Sequence, residues 1–176
     1  MGIVQPFPVA PPVGIRKFED AGLRDGMARL ASGVTLVTCW ADGVPVGLAA
    51  TSLIGLSVDP PRLLFSVRRD ASAHDALLTA GRCAAVVLAQ EDLDEARLFA
   101  VSENREARFT SAAWRLDDPF APRFDGGLAR FDLLIEHRIR AEGHTILIAE
   151  VLDVASQPGS PLLYFERSFG SMSPAT

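Results

Sequence analysis

A β-barrel carrying a few small helices is the fold class this sequence predicts. Strand-length apolar or alternating segments recur along the 176-residue chain, separated by turn residues. The tight-turn sequences Ala41-Asp42-Gly43 and Ala141-Glu142-Gly143-His144 each lie between such segments and fold them into hairpins. Helical spacing is confined to short stretches, and no linker or internal repeat divides the chain. With 48% hydrophobic and 22% charged residues, it is long enough to bury a core as one domain.

The elements follow in order. Residues 1–15, with Pro6, Pro8, Pro11 and Pro12, read as an extended arm, residues 16–170 as the single domain and 171–176 as a tail. Phe18, Leu23, Met27 and Leu30 set a helix from Arg16 to Ala31, stopped by Gly33. Val34 to Trp40 is a strand that turns into a second one beginning at Val44. Asp59-Pro60-Pro61 is the next turn, and Leu63-Leu64-Phe65 the strand after it. Ser72-x-x-Asp75 reads as a capping box opening a short helix to Ala80-Gly81. Cys83 to Ala89 is a core strand. Glu91 to Ala100 is a helix with acids in its first turn, where they favour the positive dipole end. Residues 101–125 are irregular, with a short piece at Ala113-Trp114-Arg115. Leu128 to Arg140 and Thr145 to Val154 are long strands, and Leu162 to Phe165 is the last.

Composition excludes several classes of function. A net charge of -5 and a pI near 5.2 oppose a nucleic-acid surface, which needs clustered Lys and Arg. Cys39 and Cys83 stand far apart in apolar strands, as buried free thiols, and His74, His137 and His144 sit in unlike contexts, so no metal site is expected. The N-terminus lacks the basic and apolar regions of a signal peptide, and no segment is apolar for long enough to span a bilayer; a cytoplasmic protein is expected. Neither G-x-G-x-x-G after a strand nor a P-loop occurs, which removes the common nucleotide folds.

One stretch, Val44 to Asp75, gathers the candidates for chemistry. Its residues are small at Gly47, Ala49, Ala50, Thr51, Ser52, Gly55 and Ser57, which allows a flat group to lie against the backbone; the same small residues also suit close packing or a bulge. A strand later, Arg68 and Arg69 stand beside the expected helix start, a seat for an anion. On a second turn, His144 can reach over a cleft without belonging to the core.

In this order the residues resemble the flavin reductase-like family, which has the FMN-binding split-barrel fold, mainly β and Greek-key-like with a few short helices. A family stretch close to G-M-T-A-N-S-F-x-S-V-S-x-D-P-P-L, followed by R-x-S-x-T/H, stands here as Gly47-Leu48-Ala49-Ala50-Thr51-Ser52-Leu53-Ile54-Gly55-Leu56-Ser57-Val58-Asp59-Pro60-Pro61 and Arg69-Asp70-Ala71-Ser72-Ala73-His74. The similarity runs from Phe18 through Gly33-Val34-Thr35 to Gly143-His144-Thr145 and Pro161-Leu162-Leu163-Tyr164, nearly the whole chain.

The resemblance implies an NAD(P)H-dependent flavin reductase that binds FMN or FAD, with NADH or NADPH as co-substrate and a separate monooxygenase as recipient of the reduced flavin. It implies a homodimer with flavin at the subunit interface. Ala50, Thr51 and Ser52, with Ala49 beside them, would line the flavin ring, and Ser66, Arg69, Ser72 and His74 would lie toward its phosphate. Ser57 belongs to the same motif as a turn-shaping residue. His144 would be the catalytic residue, positioning nicotinamide. The chain departs from the family pattern at Ala49, where Thr is usual, at Gly55, where Ser is usual, and at Phe165 to Phe169, where H-R-G-R-Y is common; Arg167 stands for that arginine. The alternative is a flavin-binding electron carrier or binding module with little turnover. A pyridoxamine-phosphate-oxidase-like enzyme is disfavoured, because no basic cluster beyond Arg68-Arg69 offers a second phosphate seat.

Overall fold

The computed structural model describes residues 20–172. The expected arm over residues 1–15, the helix start with Phe18 and residues 173–176 of the tail lie outside the described residues. Helix α1 (Asp20–Ala28) is followed by β1 (Ser32–Gly33), β2 (Thr35–Ala41), β3 (Val44–Ala50), β4 (Ile54–Val58) and β5 (Pro61–Arg68). Then come α2 (His74–Ala80), β6 (Arg82–Val87), α3 (Leu93–Ala100), β7 (Trp114–Arg115) and β8 (Arg123–Phe124). The long hairpin β9 (Ala129–Ala141) and β10 (His144–Ser156) precedes β11 (Leu162–Phe165) and β12 (Ser168–Ser171).

Seven strands form one antiparallel sheet in the order β3-β2-β6-β9-β10-β5-β4. Its two edge strands, β3 and β4, are consecutive in the chain and joined only by Thr51, Ser52 and Leu53. Four Cα steps reach at most about 14 Å, so the edges must come together at this end and the sheet curls into a barrel whose split is bridged by that segment. β1, β11 and β12 form a separate three-stranded sheet.

The barrel interior is filled by alternate residues of its strands, among them Val37, Phe65, Val67, Cys83, Leu133, Ile135 and Leu147, together with Ala73 and Leu77 from the α2 segment. A second cluster, with Leu36, Val86, Phe99, Trp114 and Phe124, packs α3 and the β7–β8 ribbon on the other face of β2 and β6. β2 is therefore buried on both faces from Thr35 to Cys39, which explains its continuous apolar character.

The expected split-barrel architecture is present, with local corrections. The capping box is absent: α2 begins at His74, its N-cap is Ala73 and no side chain caps it. The Asp75 carboxylate is instead engaged by the imidazole of His74, and Ser72 is exposed. An unforeseen strand, β12, pairs with β11 and reaches the first residue of the expected tail, Ser171. In the irregular segment Arg108 is buried and donates to the carbonyls of Leu98, Val101 and Gly47 at 2.9–3.1 Å, satisfying C-terminal acceptors of α3.

Cys39 and Cys83 are free and buried, as expected; burial pushes the Cys39 thiol up to about 11 and Cys83 further, so neither is a ready nucleophile. Among the described residues there is no metal-ligating cluster and no helix long and apolar enough to cross a membrane.

Candidate functional site

The C-terminal end of β5 and the β9–β10 turn meet and form a cleft lined by Arg68, Arg69, Asp70, Gly143 and His144. The antiparallel register places His144 opposite Arg68, and the Arg69 amide donates to the Gly143 carbonyl at 2.9 Å. The two arginines are not equivalent. Arg68 is forked onto Asp70, with Nε to Oδ1 at 2.9 Å and Nη2 to Oδ2 at 2.5 Å. Its hydrogen bond holds the Asp70 carboxyl below the usual range, and the nearby His144 adds to this. Arg69 has no carboxylate partner among the described residues, so its charge is available to an incoming anion.

One strand away, the Ser52 hydroxyl accepts the Ser66 amide N–H at 3.0 Å and donates to the Ser66 carbonyl at 3.1 Å. It replaces the β4 backbone beyond the end of the ladder at Ile54. The backbone N–H groups of Thr51, Ser52 and Leu53 make no hydrogen bond among the described residues; the segment is exposed at Thr51 and half-buried at Ser52 and Leu53, so these donors are open to solvent or to a bound acceptor. Ala49 and Ala50 point to opposite faces, Ala49 toward the α3 cluster and Ala50 into the barrel. At most one of the two methyl groups can line a ring; the common surface of this segment is its backbone.

His74 is buried and held at both ring nitrogens. Nδ1 lies 2.7 Å from Asp75 Oδ1 and Nε2 lies 2.9 Å from the hydroxyl of Thr145. Its neighbour Ser72 is exposed at the mouth of the α2 segment. Ser57 donates to the carbonyl of Pro60 and so shapes the β4–β5 turn. Arg167 belongs to the other sheet, on the β11–β12 turn, where it pairs with Asp25 of α1 at 2.6 Å. The structure thus brings together Ser52, Ser66, Arg69, Ser72, His74 and His144 on neighbouring segments, and leaves Ser57 and Arg167 in engagements of their own. The hold of Thr145 and Asp75 on His74 was not foreseen; an adjacent His-Asp pair at a helix start was its one sequence signal.

A more enclosed cavity lies at the opposite end of the β9–β10 hairpin, bounded by Gly127, Arg130, Asp132 and Asp153. Arg130 bridges Asp118 at 3.2 Å and Asp132 at 2.8 Å there. Phe124, Leu128 and Ala155 also line it, but Arg130 is already matched by two carboxylates and is not offered to an anion.

The donor set at the split fits a flavin: unpaired amides suit the polar edge of the ring, and the unpaired Arg69 suits a phosphate. Arg69 and the exposed Ser72 would hold that phosphate, and the Thr51 to Leu53 backbone the ring edge.

Comparison with known proteins agrees. A family model described as flavin reductase like domain matches residues 27–173. The chain is 34% identical over 151 residues to the FMN reductase (NADH) RutF of Stutzerimonas stutzeri, covering 85% of this chain and 87% of that protein. It is 34% identical over 156 residues to the FMN reductase (NADH) SmoA of Agrobacterium fabrum, covering 88% and 87%. Among solved structures it is similar to the NADH:FAD oxidoreductase SgcE6 of Streptomyces globisporus, with a TM-score of 0.81, 28% identity and coverage of 93% of this chain and 100% of that one.

Proposed function

The chain belongs to the flavin reductase-like family, and on that premise we propose that it is an NAD(P)H:flavin oxidoreductase that binds FMN or FAD and passes reduced flavin to a partner monooxygenase in the cytoplasm. The observation that carries this reading is that the Thr51 to Leu53 segment, whose amides are unpaired among the described residues, is tied through Ser52 to Ser66 of β5, the strand that ends at Arg68 and leads into Arg69. When bound, the flavin supplies the redox chemistry, accepting a hydride from the nicotinamide. The protein's part is to bind and align: Arg69 and Ser72 hold the phosphate, the bridging segment holds the ring edge, and His144 orients the nicotinamide from the β9–β10 turn. His144 is exposed and sits on the first residue of β10, where its side chain reaches into the cleft without disturbing the core.

A second copy of the chain completes the site in this reading. Register puts Ile54, Leu64 and Ile148 in one row across the outer face of the sheet, and Ser66, Ile146 and Ile139 in the next. Ile54 and Ile139 are about half exposed, at 55% and 48%. The row after that holds Arg68 and His144, so the apolar face runs directly into the cleft. A homodimer packed on this face buries the rows and sets the flavin at the subunit boundary.

The test is to add FMN or FAD to the purified protein and follow oxidation of NADH and NADPH separately. FMN with NADH is the first pair to try, since RutF and SmoA are FMN reductases (NADH). Rapid flavin-dependent oxidation is expected; a tightly held flavin without turnover would instead support the electron-carrier reading.

A further inference from the structure

We propose that Asp75, His74 and Thr145 form a positioning relay that fixes the turn carrying His144. This inference rests on the proposed role of His144 and extends it to residues that act through the turn carrying it. His144 lies between two residues, each tied to the β5–α2 connection. On one side the Gly143 carbonyl accepts the Arg69 amide at 2.9 Å. On the other, Thr145 meets His74 Nε2 at 2.9 Å. The His144 backbone is thus pinned at both flanks to the segment that also presents Arg69.

The hydrogen-bond roles follow from donor chemistry. A carboxylate only accepts, so the Asp75 contact at 2.7 Å places the proton of neutral His74 on Nδ1. Nε2 then carries the free lone pair and accepts the Thr145 O–H. Asp75 therefore selects the tautomer that lets Thr145 donate, although its own side chain is 97% exposed while that of His74 is only 9% exposed. Thr145 itself is 3% exposed, so its hydroxyl has no water to turn to. In a helix-start residue with no cap function, this buried, doubly bonded imidazole has one effect: it locks α2 to the residue after His144.

The test uses Thr145→Val, which keeps the side-chain shape and removes the donor, with Thr145→Ser to restore it. In stopped-flow reduction by NADH, Thr145→Val is expected to slow hydride transfer about 10- to 100-fold, the loss a misplacement of about 1 Å produces. FMN affinity stays within about twofold, and Thr145→Ser recovers most of the rate. Asp75→Asn, on an exposed side chain, folds normally and slows transfer several-fold. Thr145→Val added to His144→Ala produces no further loss.

A readout without flavin separates this proposal from the one beneath it. Hydrogen exchange of the Arg69 amide in the flavin-free protein should accelerate in Thr145→Val and not in Thr145→Ser, because the turn that accepts it is loosened. If His144→Ala reduces flavin at the wild-type rate while the Arg69 amide still responds to Thr145→Val, the relay stands as a device that orders the turn and the role of His144 falls. If His144→Ala is slow but Thr145→Val matches wild type in both rate and exchange, the relay is overturned. Equal losses of rate and FMN affinity in Thr145→Val overturn it too, since they mark general damage to the fold.

Discussion

Ser52 and Ser66 are joined twice through a single hydroxyl, which accepts the Ser66 N–H at 3.0 Å and returns a hydrogen bond to the Ser66 carbonyl at 3.1 Å. The bond pair sits where the two edges of the barrel approach, so one side chain closes the split that backbone pairing leaves open. Ser52→Ala leaves both Ser66 groups unpaired at a half-buried position, a cost of about 1–2 kcal/mol. That corresponds to a fall in Tm of roughly 2–8 °C for a chain of this size. Because the freed segment would also hold the ring edge in the proposed function, FMN titration should show weaker binding alongside the thermal shift. A variant with wild-type Tm and affinity would remove Ser52 from the site.

Arg69 and Arg68 should separate cleanly by mutation. Arg69→Ala removes a charge-assisted bond worth about 1.5–3 kcal/mol, so FMN affinity falls roughly 10- to 100-fold while riboflavin affinity holds. Arg68→Ala has a smaller effect on FMN, because its guanidinium is already matched by Asp70. Parallel titrations of both variants with FMN and riboflavin decide this, and an Arg68 effect equal to that of Arg69 would overturn the assignment.

Much of this fold was legible from local pattern. The turns at Asp42-Gly43 and Glu142-Gly143 were read from turn chemistry, and Asp42, Gly43 and Glu142 do adopt positive φ. Strand β11 of the barrel's partner sheet falls at the expected Leu162–Phe165, although β12 follows it. What failed depended on contacts distant in sequence. Gly47 looked like room for a ring, yet a Cβ there would lie 2.9 Å from Phe99 and 3.0 Å from Thr38, so its smallness serves the packing of α3. Asp75 fitted a capping box on spacing alone, but its carboxylate meets a histidine whose other nitrogen reaches across to β10. Strand β12 was invisible because a four-residue edge strand with Ser168, Gly170 and Ser171 carries no apolar pattern.

Asp132 gives a pH prediction. Burial raises its carboxyl above the usual range, with Asp118 and Asp153 adding to the effect and Arg130 opposing it. The Arg130 contact is close at 2.8 Å, but Asp132 Oδ1 receives no well-aligned hydrogen bond, so desolvation prevails. The folded state therefore keeps the proton to higher pH than the unfolded chain does, and this residue's contribution to stability falls as pH rises through the folded value. Asp132→Asn mimics the protonated form. Its Tm should exceed that of wild type near about pH 8 and converge with it toward about pH 4. A variant that loses stability relative to wild type as pH rises would show that the ion pair with Arg130 dominates.

The proposed dimer is tested at Ile139, which shares the row of Ile146 and Ser66 on the outer face. At 48% exposure in the single subunit, replacing it with Lys costs a monomer little, within about 0.5 kcal/mol for an ordinary surface change. In a homodimer packed on this face, the same lysine is driven into an apolar contact facing Ile54, Leu64 and Ile148, where an unpaired charge is expensive. Sedimentation should therefore show wild type as a dimer at about micromolar concentration and Ile139→Lys shifted to monomer, with the subunit melting cooperatively in both. Flavin affinity should fall with dissociation, because the cleft at Arg68 and His144 lies one row from the mutated position and the proposed partner would supply its second wall. A wild-type monomer that binds flavin, or an Ile139→Lys variant that stays dimeric with full affinity, would place the interface elsewhere.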